Sequence, residues 1–262
     1  MRITLRYKNV KEYWLERWDQ IKSDEAMKNE DVYPLKYAEL TIKDKKGKIL
    51  EAGCGAGRIL RYYHNLGYEI IGIDYIETAI KKLKDSDPSL NISVGDITNL
   101  KFSENSFRYI LAFGLYHNLE KELSKSISET KRVLEKDGFI CASFRADNIQ
   151  TRIVDWLALR KDNNYSINLP KEFHKMNLTK KEFIALFENE GFKITYFGSV
   201  VNMPIFYKFK IFRHSSQKIF NEAKGREFGY KLSFLGTLLH KVLISLFENQ
   251  FCNLYVLIAQ KN

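Results

Sequence analysis

Cysteine is scarce in this chain. There are three in 262 residues, Cys54, Cys141 and Cys252, an odd number placed far apart. That excludes a disulfide scaffold and fits reduced thiols, so a cytoplasmic location is expected. No Cys-x-x-Cys pair and no His-Glu-x-x-His occurs, and the five histidines are scattered, so no metal site is expected. The first residues, Met1-Arg2-Ile3-Thr4-Leu5-Arg6, are charged and lack the apolar stretch of a signal peptide. Tyr230 to Phe247 is apolar, but Lys231, His240 and Lys241 argue against a spanning helix. Internal repeats and low-complexity tracts are absent. So is the phosphate-binding pattern G-x-x-x-x-G-K-[ST]. The dinucleotide pattern G-x-G-x-x-G also fails: counted from Gly53 its last position is Arg58, and from Gly55 it is Leu60.

What is present points to a folded α/β protein. Apolar residues make up 45% and aromatics 14%, enough for a sizeable core. The net charge of +10 suggests anionic partners (nucleic acid, a membrane surface or an acidic substrate) or only a lysine-rich surface.

The chain is organised around Lys48 to Arg58. Ile49-Leu50 reads as a buried strand, Gly53, Gly55 and Gly57 follow on alternate positions, and Ile59 to Tyr63 begins a helical pattern. A strand turning through glycines into a helix is a nucleotide-binding device, because a backbone without Cβ atoms can approach a ligand closely. Before it, residues 9 to 22 carry Val10, Tyr13, Trp14, Arg17, Trp18 and Ile21 on one helical face, and a short helix is expected from about Leu35 to Ile42. These helices either pack on the core or close over a ligand.

Strands and helices then alternate. Strands are expected at 68–73, ended by Asp74, at 91–94, 107–113 and 139–144, with helices at 76–84 and 119–134 between them. A helix over 149–160 and a polar loop at 161–166 follow. Next come a helix from Lys180 to Glu190 capped by Thr179, a strand over 192–201, and a final strand from Leu254 to Ala259. The expected fold is α/β and doubly wound, a Rossmann-like seven-stranded, mostly parallel sheet with helices on both faces. Its parts are an N-terminal helical cap (1–47), a core (48–200), a helical insertion (201–250) and the last core strand (251–262). The insertion has eight basic and three acidic residues and a helical stripe of Leu232, Leu235, Leu239, Val242 and Leu246.

Five segments resemble the class I S-adenosylmethionine-dependent methyltransferases of the small-molecule type. They are Glu51-Ala52-Gly53-Cys54-Gly55-Ala56-Gly57, the acid Asp74, Gly95-Asp96-Ile97, Asn105-Ser106-Phe107, and Arg132 to Gly138. The likeness is close over 48–145 and looser through 179–201. One departure is Arg108, where the family usually has Asp after the Phe. The resemblance implies S-adenosylmethionine as cofactor, with S-adenosylhomocysteine as product. Gly53, Cys54, Gly55, Gly57 and Arg58 would line it, Asp74 and Tyr75 would meet the ribose, and Asp96 and Ile97 the adenine. Phe113 and Gly114 would hold the methionine amine. Glu51 either contributes there or orients the glycine loop.

Methyl transfer needs an oriented acceptor and, for some acceptors, a base. His117, after the fourth strand, is the candidate base or a mere wall of the site. Tyr116 is expected beside the acceptor, and His174 is a further candidate. A small-molecule or lipid-linked acceptor is expected. Nucleic-acid amino methylation is disfavoured because Phe113-Gly114-Leu115-Tyr116 lacks the Asn/Asp-Pro-Pro-aromatic motif, and base-carbon methylation because no cysteine follows a proline. An RNA-directed enzyme using the basic surface, or a cofactor-binding protein without catalysis, are the alternatives. The insertion is read as a cap, a homodimer contact or a peripheral membrane contact.

Overall fold

Ile49–Ala52 is buried along its whole length, because this strand lies mid-sheet with helices on both faces. The computed structural model describes residues 1–6, 10–20, 25–162, 170–220, 225 and 229–262. Asn9, Ile21 and Lys22 of the expected first helix, residues 163–166 of the polar loop, and Glu222, Lys224, Arg226 and Glu227 of the insertion lie outside them.

The strands are β1 (Arg2–Arg6), β2 (Ile49–Ala52), β3 (Ile70–Asp74), β4 (Ile92–Val94), β5 (Phe107–Ala112), β6 (Leu134–Arg145), β7 (Glu172–Asn177), β8 (Phe192–Val200) and β9 (Leu254–Lys261). The helices are α1 (Val10–Gln20), α2 (Leu35–Thr41), α3 (Arg58–Asn65), α4 (Glu77–Ser86), α5 (Leu123–Val133), α6 (Ile149–Asp162), α7 (Lys180–Glu188) and α8 (Phe234–Phe247). The main sheet has seven strands in the order β4-β3-β2-β5-β6-β9-β8. The first five run parallel, and β9 is antiparallel to both β6 and β8. Strand order reverses between β2 and β5, the place where such sheets open a ligand crevice at their carboxyl ends.

Two apolar layers hold the sheet. On one face Ile127 and Val133 of α5 and Phe183 and Phe187 of α7 pack with Phe144 of β6. On the other, Leu35, Leu60, Tyr63, Ile80 and Leu83 from α2, α3 and α4 cover Ile49, Leu111 and Val256. Thr179 caps α7 as expected: its hydroxyl accepts the Glu182 N–H at 3.3 Å, and Glu182 accepts the Thr179 N–H at 2.8 Å. Such a cap is worth about 1 kcal/mol. One buried Phe or Leu is worth about 1.5–3 kcal/mol, so the layers dominate.

Three elements differ from expectation. Strand β6 begins at Leu134 and runs through the expected turn, with Asp137 kept at φ 60° beside an irregularity in the β5 ladder. Helix α8 starts at Phe234, where Ser233 accepts the Gly236 N–H at 3.3 Å. The third is a two-stranded antiparallel ribbon of β1 and β7, pairing Arg2 with Asn177 and Leu5 with Phe173. Its alternation is inside out. Thr4 is buried toward Asp155, whereas Ile3 and Leu5 are exposed.

Candidate active site

The glycine loop leaves β2 with three left-handed residues, Gly53 (φ 74°), Gly55 (φ 51°) and Gly57 (φ 68°). The Gly53 and Cys54 N–H groups both donate to the Ile73 carbonyl, at 2.8 and 2.9 Å, and Gly57 N–H donates to Cys54 O at 2.8 Å. A Cβ at Gly57 would come within 2.5 Å of Leu83, so only glycine fits there. Asp74, ending β3, is buried and accepts from two backbone donors: Gly55 N–H on Oδ2 and Ile76 N–H on Oδ1, each at 2.8 Å. Burial raises its pKa, and these two bonds pull the other way. Each oxygen keeps a lone pair for a ligand hydroxyl.

Glu51 is buried beside the loop, and its Oε2 has no partner. Burial pushes its pKa up to about 8, against a bond from the Leu60 backbone and reinforced by the Asp74 charge. It is therefore a neutral acid with an unused polar atom at the base of the crevice. Cys54 is buried, and burial drives its thiol well above the usual range, so it is inert packing. The Arg58 carbonyl accepts the Met27 N–H at 3.0 Å, and through this bond the segment before α2 clasps the loop.

Asp96 sits in a turn where its Oδ1 takes both the N–H and the hydroxyl of Thr98 at 2.8 Å. Ile97 is packed in the core. Tyr75 is exposed, with the Lys11 ammonium 5.4 Å from its ring centre. Gly114 (φ 69°) donates its N–H to the Ser143 hydroxyl at 2.8 Å. The same hydroxyl meets the Tyr33 hydroxyl at 2.8 Å, and the Tyr33 ring stands edge-on to Phe113.

The acceptor side departs further from the sequence reading. Tyr116, expected beside the acceptor, is fully buried with its hydroxyl 2.8 Å from Thr130 Oγ1 and its ring against Phe187. It is a core residue. His117 is buried too. It packs edge-on to Phe144, its Nδ1 has no partner, and burial, then Arg145, Lys175 and His174, hold its pKa well below the usual value. The ring is therefore neutral near pH 7. His174 lies on β7 against Tyr13 of α1, ring centres 5.5 Å apart. With Lys11 over Tyr75 and Tyr13 on His174, α1 crosses from the end of β3 to β7. Tyr33, Ser143, Arg145 and Lys175 were not found from sequence. They lie outside every motif, and only the ribbon and the carboxyl end of β6 bring them together.

A seven-stranded sheet of this order, whose first βα turn is a glycine loop tied to an acid at the end of the next strand, is the architecture of the class I S-adenosylmethionine-dependent methyltransferases. Residues 50–142 match the family model described as a methyltransferase domain. An uncharacterised methyltransferase of Schizosaccharomyces pombe is 26% identical over 133 residues, 46% of this chain and 92% of that protein. A demethylmenaquinone methyltransferase of Paenarthrobacter aurescens is 30% identical over 92 residues, 35% of this chain and 36% of that one. Among solved structures, an S-adenosylmethionine-dependent methyltransferase of Methanosarcina mazei shares the fold. It has a TM-score of 0.56 at 18% identity and covers 88% of this chain and 98% of its own. The family implies S-adenosylmethionine, and the residues present fit it: an orphaned buried acid, a strand-end carboxylate with spare lone pairs, and a left-handed glycine backbone.

Proposed function

We propose that the chain binds S-adenosylmethionine and transfers its methyl group to a small organic acceptor. The observation that carries this reading is Asp74, held by Gly55 and Ile76 at the carboxyl end of β3 with both oxygens still able to accept. Asp74 would take the ribose hydroxyls, the glycine loop would lie along the cofactor, and Glu51 and the Gly114 backbone would serve the methionine end. Bound S-adenosylmethionine supplies an electrophilic methyl on a sulfonium. The chain's own part is to orient the acceptor, to exclude water beneath α1 and Tyr33, and to take a proton at His117 Nδ1 where the acceptor must lose one. The relative named for demethylmenaquinone favours a small organic acceptor over nucleic acid. Calorimetric titration tests the first step. Asp74→Ala is expected to weaken S-adenosylmethionine binding more than tenfold, and unchanged affinity would overturn the assignment.

A second observation bears on where the acceptor is met. In α8 the side chains of Phe234 (88% exposed), Leu235, Leu238, Val242, Leu246 and Phe247 face outward, and only Gly236 is buried. Lys208, Lys210, Lys218, Lys231 and Lys241 are exposed around them. No helix among the described residues is long and apolar enough to cross a membrane. Apolar groups ringed by cations suit the surface of an anionic bilayer, which would make the enzyme peripheral and its acceptor lipidic. Co-sedimentation with phosphatidylglycerol vesicles at low salt is expected. A dimer in solution that buries α8, with no vesicle binding, would replace this reading with a homodimer.

A further inference from the structure

The carboxyl end of β6 carries a half-buried cation, Arg145, that no carboxylate among the described residues contacts directly, Asp155 acting on it only at a distance. Arg145 lies two residues beyond Ser143, on the same face of the strand, and Ser143 already faces the site through Gly114 and Tyr33. The Arg145 Nε is buried without a hydrogen bond, and no carboxylate among the described residues forms an ion pair with its guanidinium. The nearby acids are already engaged. Asp155 accepts from Lys175 Nζ at 2.7 Å and from Arg2 at 2.8 Å, and Asp147 is shared by Arg2 and Arg152 at 2.7 and 2.9 Å. Around the same point stand His117 and His174, each with a buried, unpartnered Nδ1. Asn177 follows Lys175 on one face of β7. It is fully buried, and both its amide atoms lack partners.

A largely buried cluster with more cations than carboxylates and several unpartnered polar atoms is costly unless something anionic joins it. A structural salt-bridge network would have satisfied Arg145. This one leaves it out and satisfies Lys175 and Arg2 instead.

We infer that the acceptor is an oxyanion-bearing small molecule, a carboxylate or a phosphate, whose anionic group seats on Arg145 between His117 and β7. The inference rests on the methyl-transfer reading for the word acceptor, but the anion site stands on its own residues. Arg145 provides the planar fork that pairs two oxygens at once. Lys175, tied to Asp155, sets the field without occupying the fork. Placed there, the anion leaves the rest of the molecule beside His117 and under Tyr13 of α1. Burial, then the Arg145 charge, lowers the Lys175 pKa to about 7 against the opposing pull of Asp155, and burial, then Arg6, Lys175 and Arg145, lowers that of His174 to about 4.

The test uses the full-length protein with benzoate, phenyl phosphate and neutral benzamide as probes, by calorimetry and thermal shift, with and without saturating S-adenosylhomocysteine. Benzoate or phenyl phosphate is expected to bind at least tenfold more tightly than benzamide, and whichever is stronger names the class. Arg145→Gln is expected to remove that preference and Arg145→Lys to keep part of it. Anion and amide binding equally to the wild-type protein would overturn the proposal even if the variants do not fold. So would a preference that survives in Arg145→Gln. Titrating S-adenosylhomocysteine alone reads the cofactor site separately, so a failure there strikes the methyl-transfer reading and leaves the anion result intact.

Discussion

The two edges of the crevice are built on different principles. The cofactor edge is made of backbone: Gly53 and Cys54 on the Ile73 carbonyl, and Gly55 and Ile76 on Asp74, all within residues 49–76. The edge at which we place the acceptor is made of side-chain charge drawn from residues 2, 145, 155 and 175. A hydrogen bond of this kind contributes about 0.5–1.5 kcal/mol net, and losing one strands a buried group at a cost of about 1–3 kcal/mol. A buried charge that loses its partner leaves an uncompensated ion. The second edge should therefore lose more per broken contact than the first.

The sharpest contrast is Asp155→Ala, which strips Lys175 and Arg2 of their shared carboxylate. A loss of about 3–5 kcal/mol is expected by denaturant unfolding. A loss under about 1 kcal/mol would mean that the acceptor edge is not held by charge. On the cofactor edge, Glu51 carries a pKa of about 8 against 4.5 when unfolded. Between these values the folded state holds the extra proton. The stability this provides is complete below about pH 4.5 and is lost as pH rises through 8. Glu51→Gln should abolish that slope, a difference on the order of a few kcal/mol at pH 9. Parallel unfolding curves for the two proteins from pH 5 to 9 would show that Glu51 is not held neutral.

His117→Gln should lower turnover by about 10²–10⁴-fold with S-adenosylmethionine affinity retained, if the acceptor must lose a proton. Turnover within twofold of wild type would leave His117 as a wall. The smallest effect belongs to neither edge: Thr179→Ala should cost about 1 kcal/mol through the α7 cap and leave ligand binding alone.

The same division explains what could be read from the chain. Ile49-Leu50, Ile70 to Ile73 and Phe107 to Ala112 are apolar runs bounded by turn residues, so the sheet was visible, as were the alternate glycines and Asp74. The ribbon of β1 and β7 was not. Its apolar residues Ile3 and Leu5 face solvent, and its polar residues face a buried acid, so periodicity pointed the wrong way. Tyr116 and His117 are neighbours in sequence and both buried, and no pattern tells that the first spends its hydroxyl on Thr130 while the second keeps an unpartnered nitrogen. Arg145 ends an apolar strand in the way a surface arginine would, and only the acids already taken by Arg2 and Lys175 set it apart.

The ribbon also bears on the order in which the molecule is made. Arg2 closes on Asp155 across 153 positions, and β9, at the far end of the chain, must slide between β6 and β8 before the sheet is whole. The glycine loop and Asp74 need only 19 positions to meet. Loop-closure entropy and contact order favour the short closure. On the ribosome the cofactor edge can take shape while most of the acceptor edge is still unmade.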